Sequence, residues 1–101
     1  MTQDNMIVYE LLPNGCGFCA KSNGENIGEI TFVKIGIDKL MIDHTFIADD
    51  YPKTAIEFNL VARVVDLARN QHRKILTICP SAMDVLVGHP EFDDVRLMNA
   101  R

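Results

Sequence analysis

The stretch KLMIDHTFIADDYPKTAIEFNLVARVVDLARNQHRKILTICP, residues 39–80, decides the fold. Its opening KLMIDHTFI, 39–47, alternates as a strand does. Leu40, Ile42, His44 and Phe46 fall on one face, and Met41, Asp43, Thr45 and Ile47 on the other. The period then changes. From Lys53 to Gln71 the apolar positions Ile56, Leu60, Val64, Leu67 and Ala68 recur at helical spacing, with Val61 and Val65 widening the stripe. Asn59, Arg63, Asp66 and Asn70 mark the opposite, wet face. KILTIC, 74–79, is a nearly continuous apolar run, the pattern of a strand buried on both faces, and Pro80 ends it. Strand, helix and strand make a β-α-β crossover, so the two strands are expected to run parallel with a right-handed connection.

Such a unit predicts where a ligand binds: beyond the carboxyl ends of the strands, beside the start of the following helix. His44, Thr45, Phe46, the loop ADDYPKTA (48–55), Cys79 and Pro80 would surround that crevice. Free amides at the helix start would make an anion site there.

Upstream, MIVYELL (6–12), CGFCAK (16–21) and IGEITFVKI (27–35) read as three further strands. They are separated by the turn signals Pro13-Asn14-Gly15, Ser22-Asn23-Gly24 and Gly36-Ile37-Asp38. Four strands joined by short turns make an antiparallel meander. Downstream, Ser81 reads as an N-cap with Asp84 three residues on, opening a short helix through Val87 that stops at Gly88-His89-Pro90. The tail EFDDVRLMNAR, 91–101, either returns as a last edge strand or stays irregular. The expected fold is α+β with an α/β-like core, in one domain over residues 1–101.

Composition agrees with one domain. The chain has 101 residues, 48% hydrophobic and 24% charged, as in a soluble globular protein with a single core. The formal charge is −4 and the one short basic run is His72-Arg73-Lys74, which argues against a nucleic-acid partner held by phosphate neutralisation. No window approaches the ~20 apolar residues of a membrane span, and MTQDNMIVYE has no basic segment leading into an apolar run. Three cysteines, an odd number, are expected to stay reduced in a cytoplasm.

Cys16-Gly17-Phe18-Cys19 has the spacing of a redox dithiol or of half a zinc site. A redox pair needs its first thiol at a helix N-terminus, yet Ala-Lys-Ser-Asn-Gly follows Cys19 and leads into another strand. Zinc needs two more ligands. Cys79 would serve as a third, but His44, His72 and His89 form no paired motif with it, so no metal site is expected. The remaining reading is two small, half-buried residues flanking Phe18 on a hairpin strand.

The segments GEITF, IDHTFI, ARNQHRKI and ICPSAMDVLVGHPEFDDV together resemble the small YjdJ-like members of the GNAT acetyltransferase superfamily, over roughly Ile27 to Val95. The most specific pieces are His44-Thr45, Cys79-Pro80 and His89-Pro90-Glu91-Phe92. The resemblance implies acetyl-CoA bound between two splayed parallel strands, 39–47 and 74–79. Backbone groups at Thr45, Phe46 and Ile47 would hold the pantetheine arm, and the helix start would hold the pyrophosphate. The family carries an Arg-Gly-x-Gly-x-Ala type loop there; this chain reads Pro52-Lys53-Thr54-Ala55-Ile56-Glu57. Proline removes a cation and an amide donor, and Glu57 brings a negative charge. Two lost charge-assisted hydrogen bonds weaken binding by about a hundredfold or more, with Lys53 and the Thr54 hydroxyl compensating in part.

Two functions are therefore expected. One is an acetyl-CoA-dependent N-acetyltransferase acting on a small-molecule or protein amine, either by direct attack of the amine or through an acyl group on Cys79. In it His44 serves as general base or, alternatively, only fixes the strand end, and Cys79 is either nucleophile or packing. The other is a non-catalytic GNAT-like module that binds CoA weakly or not at all and works through protein contacts. A chain this short would take a side chain on a protein surface or complete its acceptor pocket as a homodimer.

Overall fold

The computed structural model describes residues 7–97. Five strands lie in the order β1-β2-β3-β4-β5, namely Ile7–Leu11, Gly17–Ser22, Glu25–Ile35, Lys39–Ile47 and Lys74–Thr77. The first four pair antiparallel in sequence order, and β5 pairs parallel to β4, as the crossover predicts. The connecting helix α1, Lys53–Gln71, has the predicted bounds and buries Ile56, Leu60, Val61, Val64, Val65 and Ala68. Together with Ala82 and Leu86 of α2, Pro80–Gly88, these pack on Ile30, Phe32, Leu40 and Ile42 of the sheet in one core. Burying such side chains contributes about 1.5–3 kcal/mol each, which is what holds α1 to the strands. The helix ends at His72, whose left-handed φ of 57° lets Arg73 N–H bond back to the Ala68 carbonyl at 2.9 Å.

The alternation expected along β4 is overturned halfway. Thr31 of β3 pairs with His44, but Phe32 pairs with Ile42, so Asp43 is an extra residue with no partner. This β-bulge shifts the side-chain parity by one. Leu40 and Ile42 face the core as expected, whereas beyond the bulge it is Ile47, not Phe46, that is buried. His44 and Phe46 lie exposed on the other face, and Thr45 turns inward. The Thr31 hydroxyl donates to Asp43 Oδ1 at 2.7 Å, which anchors the extra residue.

β5 is shorter than its apolar run and is not buried on both faces. Only Ile75 is fully buried, and Ile78 is 68% exposed. The helices cover one face of the sheet, so a strand near its edge has one dry side. Thr77 ends the ladder: its hydroxyl donates to the Ile42 carbonyl at 2.8 Å and accepts from Cys79 N–H at 2.9 Å. The cap of α2 also differs from expectation. Cys79, not Ser81, is the N-cap, because Pro80 takes the first helical position, where its missing N–H costs nothing. A 3₁₀ turn follows at Pro90–Phe92, and the tail meets β5 at a single bridge, Ile75 to Arg96. Arg69 fastens that tail through Asp94 and the Glu91 carbonyl. Met6 and residues 98–101, included in the predicted first strand and tail, lie outside the described residues.

Cys16 lies in the bend before β2 and Cys19 within that strand. No helix starts at Cys16, so the dithiol lacks the helix N-terminus that would lower its first thiol.

Gly17 sits at the start of β2, paired with Thr31 of β3. A Cβ there would run into the Ile30 carbonyl oxygen and lie 2.7 Å from Leu12 Cδ1. Gly17→Ala is expected to lower stability by about 1–3 kcal/mol, read as an earlier urea midpoint. Gly28→Ala costs less, since its nearest neighbour, Ile56 Cγ2 at 3.3 Å, belongs to a side chain that can give.

Candidate active site

The bulge and the end of β5 together open a fork. β4 runs on to Ile47, while β5 stops opposite Ile42 and its chain turns away into α2. Thr45 points into the fork and touches every polar group on its floor. Its hydroxyl lies 3.3 Å from Cys79 Sγ and 3.2 Å from Ser81 Oγ, and donates to Glu57 Oε2 at 3.3 Å. Cys79 Sγ and Ser81 Oγ are 3.4 Å apart. Four side chains from β4, α1 and the start of α2 thus converge on one point.

Cys79 supplies the thiol of the cluster. Burial pushes its thiol up, but hydrogen bonds from the Ser81 and Thr45 hydroxyls and from the Ala82 and Ser81 amides outweigh that, and the thiol falls below its ordinary value. Both amides belong to the first turn of α2, so the helix N-terminus favours a negative sulfur. Half-buried at the fork, the sulfur has the setting of a nucleophile.

Glu57 is the least expected member. The sequence places it at the helix start as a charge facing phosphates; in the structure it turns inward and is 9% exposed. The signal was present, because Glu57 precedes Leu60, Val61 and Val64 at helical spacing and so lies on the apolar stripe. Ser81, expected as a cap, joins the cluster instead.

The remaining predicted residues separate. His44 is exposed on the face opposite Thr45, as neighbours on a strand must be, so His44 and Cys79 are not brought together. Phe46 shares that outer face at 47% exposure. Ile56 is buried in the core, and Pro52, Lys53, Thr54 and Ala55 are exposed at the start of α1.

A cavity of ≈ 250 Å³ lined by Thr45, Ile47, Lys53, Glu57 and Ser81 joins the fork to the start of α1. Pro52 caps that helix without a side-chain bond, no acidic residue sits in the first turn, and the first intrahelical bond runs from Ile56 N–H to the Pro52 carbonyl at 3.1 Å. The amides of Lys53, Thr54 and Ala55 precede it, so they and the Lys53 ammonium can receive an anion. The donors at the helix start suit a phosphate-bearing ligand. Among the described residues no group of three or more His, Cys, Asp or Glu is placed to hold a metal, and no helix is long and apolar enough to cross a membrane.

The lowered thiol predicts how alkylation depends on pH. Iodoacetamide labelling of Cys79 should reach half its maximal rate below the midpoint of an ordinary thiol, such as that of a free cysteine peptide run alongside, and should slow as pH falls through that midpoint. In a Thr45→Val, Ser81→Ala variant the midpoint moves up, since two of the bonds to the sulfur are gone.

Comparison with known proteins agrees with the fold. A GCN5-like protein from Staphylococcus aureus, solved in solution by NMR, superposes with a TM-score of 0.73 at 24% identity, covering 93% of this chain and 92% of that one. The crystal structure of a ribosomal-protein-alanine N-acetyltransferase from Brucella melitensis biovar Abortus gives 0.60 at 14% identity, covering 84% of this chain and 65% of that one. At these identities the likeness is one of fold. No curated protein matches the chain. The sequence profile of the GCN5-related N-acetyltransferases matches residues 17–95, from the second strand through the tail that bridges β5. With the parallel β4/β5 fork and its polar floor already in place, that match makes the chain a member of the GCN5-related N-acetyltransferase family.

Proposed function

We propose that this protein transfers an acetyl group from acetyl-CoA to an amine, and that Cys79 carries the acetyl group between the two. The observation supporting this reading is the Cys79 sulfur itself. It lies at the fork, it is bonded by two hydroxyls and two helix-end amides, and it is brought below its ordinary thiol value. Within the family, the His44-Thr45, Cys79-Pro80 and His89-Pro90-Glu91 pieces suggest placement beside the small YjdJ-like members. A thiol that must stay reduced suits the cytoplasm.

Bound to the amides of Lys53 to Ala55 and to the Lys53 ammonium, acetyl-CoA would supply an acyl carbon already activated as a thioester. The chain's own groups do the rest. Cys79, as thiolate, forms the carbon–sulfur bond while the donor's carbon–sulfur bond breaks. The Ser81 hydroxyl and the helix-end amides hold the sulfur's lone pairs and so fix its direction. CoA leaves as its own thiolate; when the amine nitrogen takes the acyl carbon it gives up a proton to water, and the same bonds receive the negative charge returning to sulfur. Glu57, hydrogen-bonded to Thr45, keeps that hydroxyl's proton directed away from Cys79 in part, leaving Ser81 as the steadier donor.

A second reading, a scaffold that does not bind the cofactor, is favoured by the proline at position 52, where the family carries arginine. Titration with acetyl-CoA separates the two: micromolar heat supports the transferase, and silence at millimolar ligand supports the scaffold. Intact-mass measurement after brief exposure to acetyl-CoA should find one acetyl group, mapped to Cys79. Cys79→Ala is expected to lose the adduct and to slow transfer by about a hundredfold or more. Undiminished turnover in that variant would rule out the covalent route.

A further inference from the structure

The helices cover one face of the sheet and leave the other open. Ile30, Phe32, Leu40 and Ile42 pack against α1 and α2, so the residues between them along the strands face away. An open antiparallel face normally reads polar, because it meets water. This one does not. Val33, Met41 and Leu76 pair across β3, β4 and β5 in one unbroken apolar row. Ile35 and Ile78 extend the row at two-residue spacing, and both are exposed, as are Val33 and, further along the same face, Phe46. Both helices and the tail residues Phe92 and Val95 belong to the opposite side, so nothing among the described residues covers the row. The fifth strand makes the same point in its sequence. A strand apolar at both Ile75 and Leu76 has the pattern of one buried on two faces, yet Ile75 is buried while Leu76 is only half-buried.

Charge is ordered along this face. On one side of the row stand Lys39 and Lys74, paired with each other across β4 and β5. On the other stand Glu29 and Asp43, whose carboxylate is held on this face by the Thr31 hydroxyl at 2.7 Å. A second copy of the chain, turned end for end about an axis across the strands at Met41, would set its own row on this one. Each copy's Lys39 would then lie over the other's Asp43. Such self-complementarity is what a two-fold interface requires. In the single chain Lys39 has only the exposed Asp38 at 3.1 Å, a pair worth little. Stacked sheets stand about 10 Å apart, a gap that opposed methionine, leucine and valine side chains fill. Five strands at about 4.8 Å make the face about 24 Å wide, and the nine residues of β4 run about 30 Å. That area is of the order of the ~800 Å² that each partner gives a stable interface.

We infer that the open face of the sheet is a homodimer interface, in which two copies pack face to face with their β4 strands antiparallel. Met41 meets Met41 at the centre, and a Lys39–Asp43 pair closes each side. The occupant is a second copy rather than an unlike protein because the face carries opposite signs on the two sides of its apolar row. A uniformly acidic or basic partner would meet repulsion on one of them, whereas an inverted copy meets its complement on both. The interface uses the sheet alone and is independent of the transferase reading. Thr45, Glu57, Ser81 and Cys79 gather on the helix side, so the fork is not part of the contact. With a narrow apolar row and two exposed ion pairs, the dimer forms at micromolar chain concentrations.

Sedimentation equilibrium of the full chain, from about 1 to about 500 µM, should find the mass rising from 11.4 kDa to twice that value. Met41→Glu sets two carboxylates against each other at the axis and should raise the dissociation constant by about a hundredfold or more. Val87→Glu, on the exposed side of α2, should leave it unchanged. A zero-length carbodiimide cross-link should join Lys39 to Asp43. Four residues apart on one strand, the two are about 13 Å from each other within a chain, so that link forms only between copies. A monomer at the highest concentration, or a dimer that survives a folded Met41→Glu, would overturn the assignment. So would a dimer broken by Val87→Glu, or a wild-type dimer without the Lys39–Asp43 link. Should Met41→Glu fail to fold, the partly exposed Lys39→Glu, expected to weaken the dimer by about tenfold, and the wild-type cross-link decide.

Discussion

The arrangement of the reacting groups depends on one unpaired residue. Asp43 has no partner on β3, and that single insertion turns Thr45 inward and His44 outward. Had the ladder continued without it, an imidazole would face α1 and the threonine would face solvent. The hydroxyl that joins Cys79, Ser81 and Glu57 would then be missing from the fork. The bulge also lies just past Ile42, where the β4/β5 ladder ends and Thr77 caps the last carbonyl. One extra residue and one hydroxyl therefore open the cleft and choose what lines it.

Electrostatics then divides what the backbone has opened. Two helices begin at the fork. The start of α1 carries a lysine and no acid in its first turn, and the start of α2 directs its amides at a sulfur. One turn further along α1, the buried carboxylate reverses the sign. A gradient from positive to negative runs across the few side chains between Lys53 and Asp84.

Much of this was legible in the sequence, and the parts that were not share a cause. Period and punctuation are local, so the bounds of β4 and α1, the parallel crossover and the meander could all be read. The parity of residues 44–47 could not, because a bulge is set by a neighbouring strand. Asp43 and His44 are both polar, so no apolar residue marks the slip. The Ser81 cap failed for a local reason that could have been weighed: proline at position 80 suits the first helical position better than any cap. Cys79 was legible as a candidate from its place after the fifth strand. Its partners were not, since Thr45, Glu57 and Ser81 come from three elements. Glu57 did leave a trace, a charge on an apolar stripe, which usually marks either a mistake in helix phase or a site.

The cysteine layout has a further chemical consequence. Strands β2 and β5 are separated by two others, so at about 4.8 Å per strand step Cys79 lies more than 10 Å from either thiol of the first hairpin. Peroxide would meet the low thiol first and convert it to a sulfenic acid, and no second cysteine of the chain stands near enough to close a disulfide on it. Such an oxidation could be reversed only by a reductant from outside the chain, because none of its own thiols can resolve it.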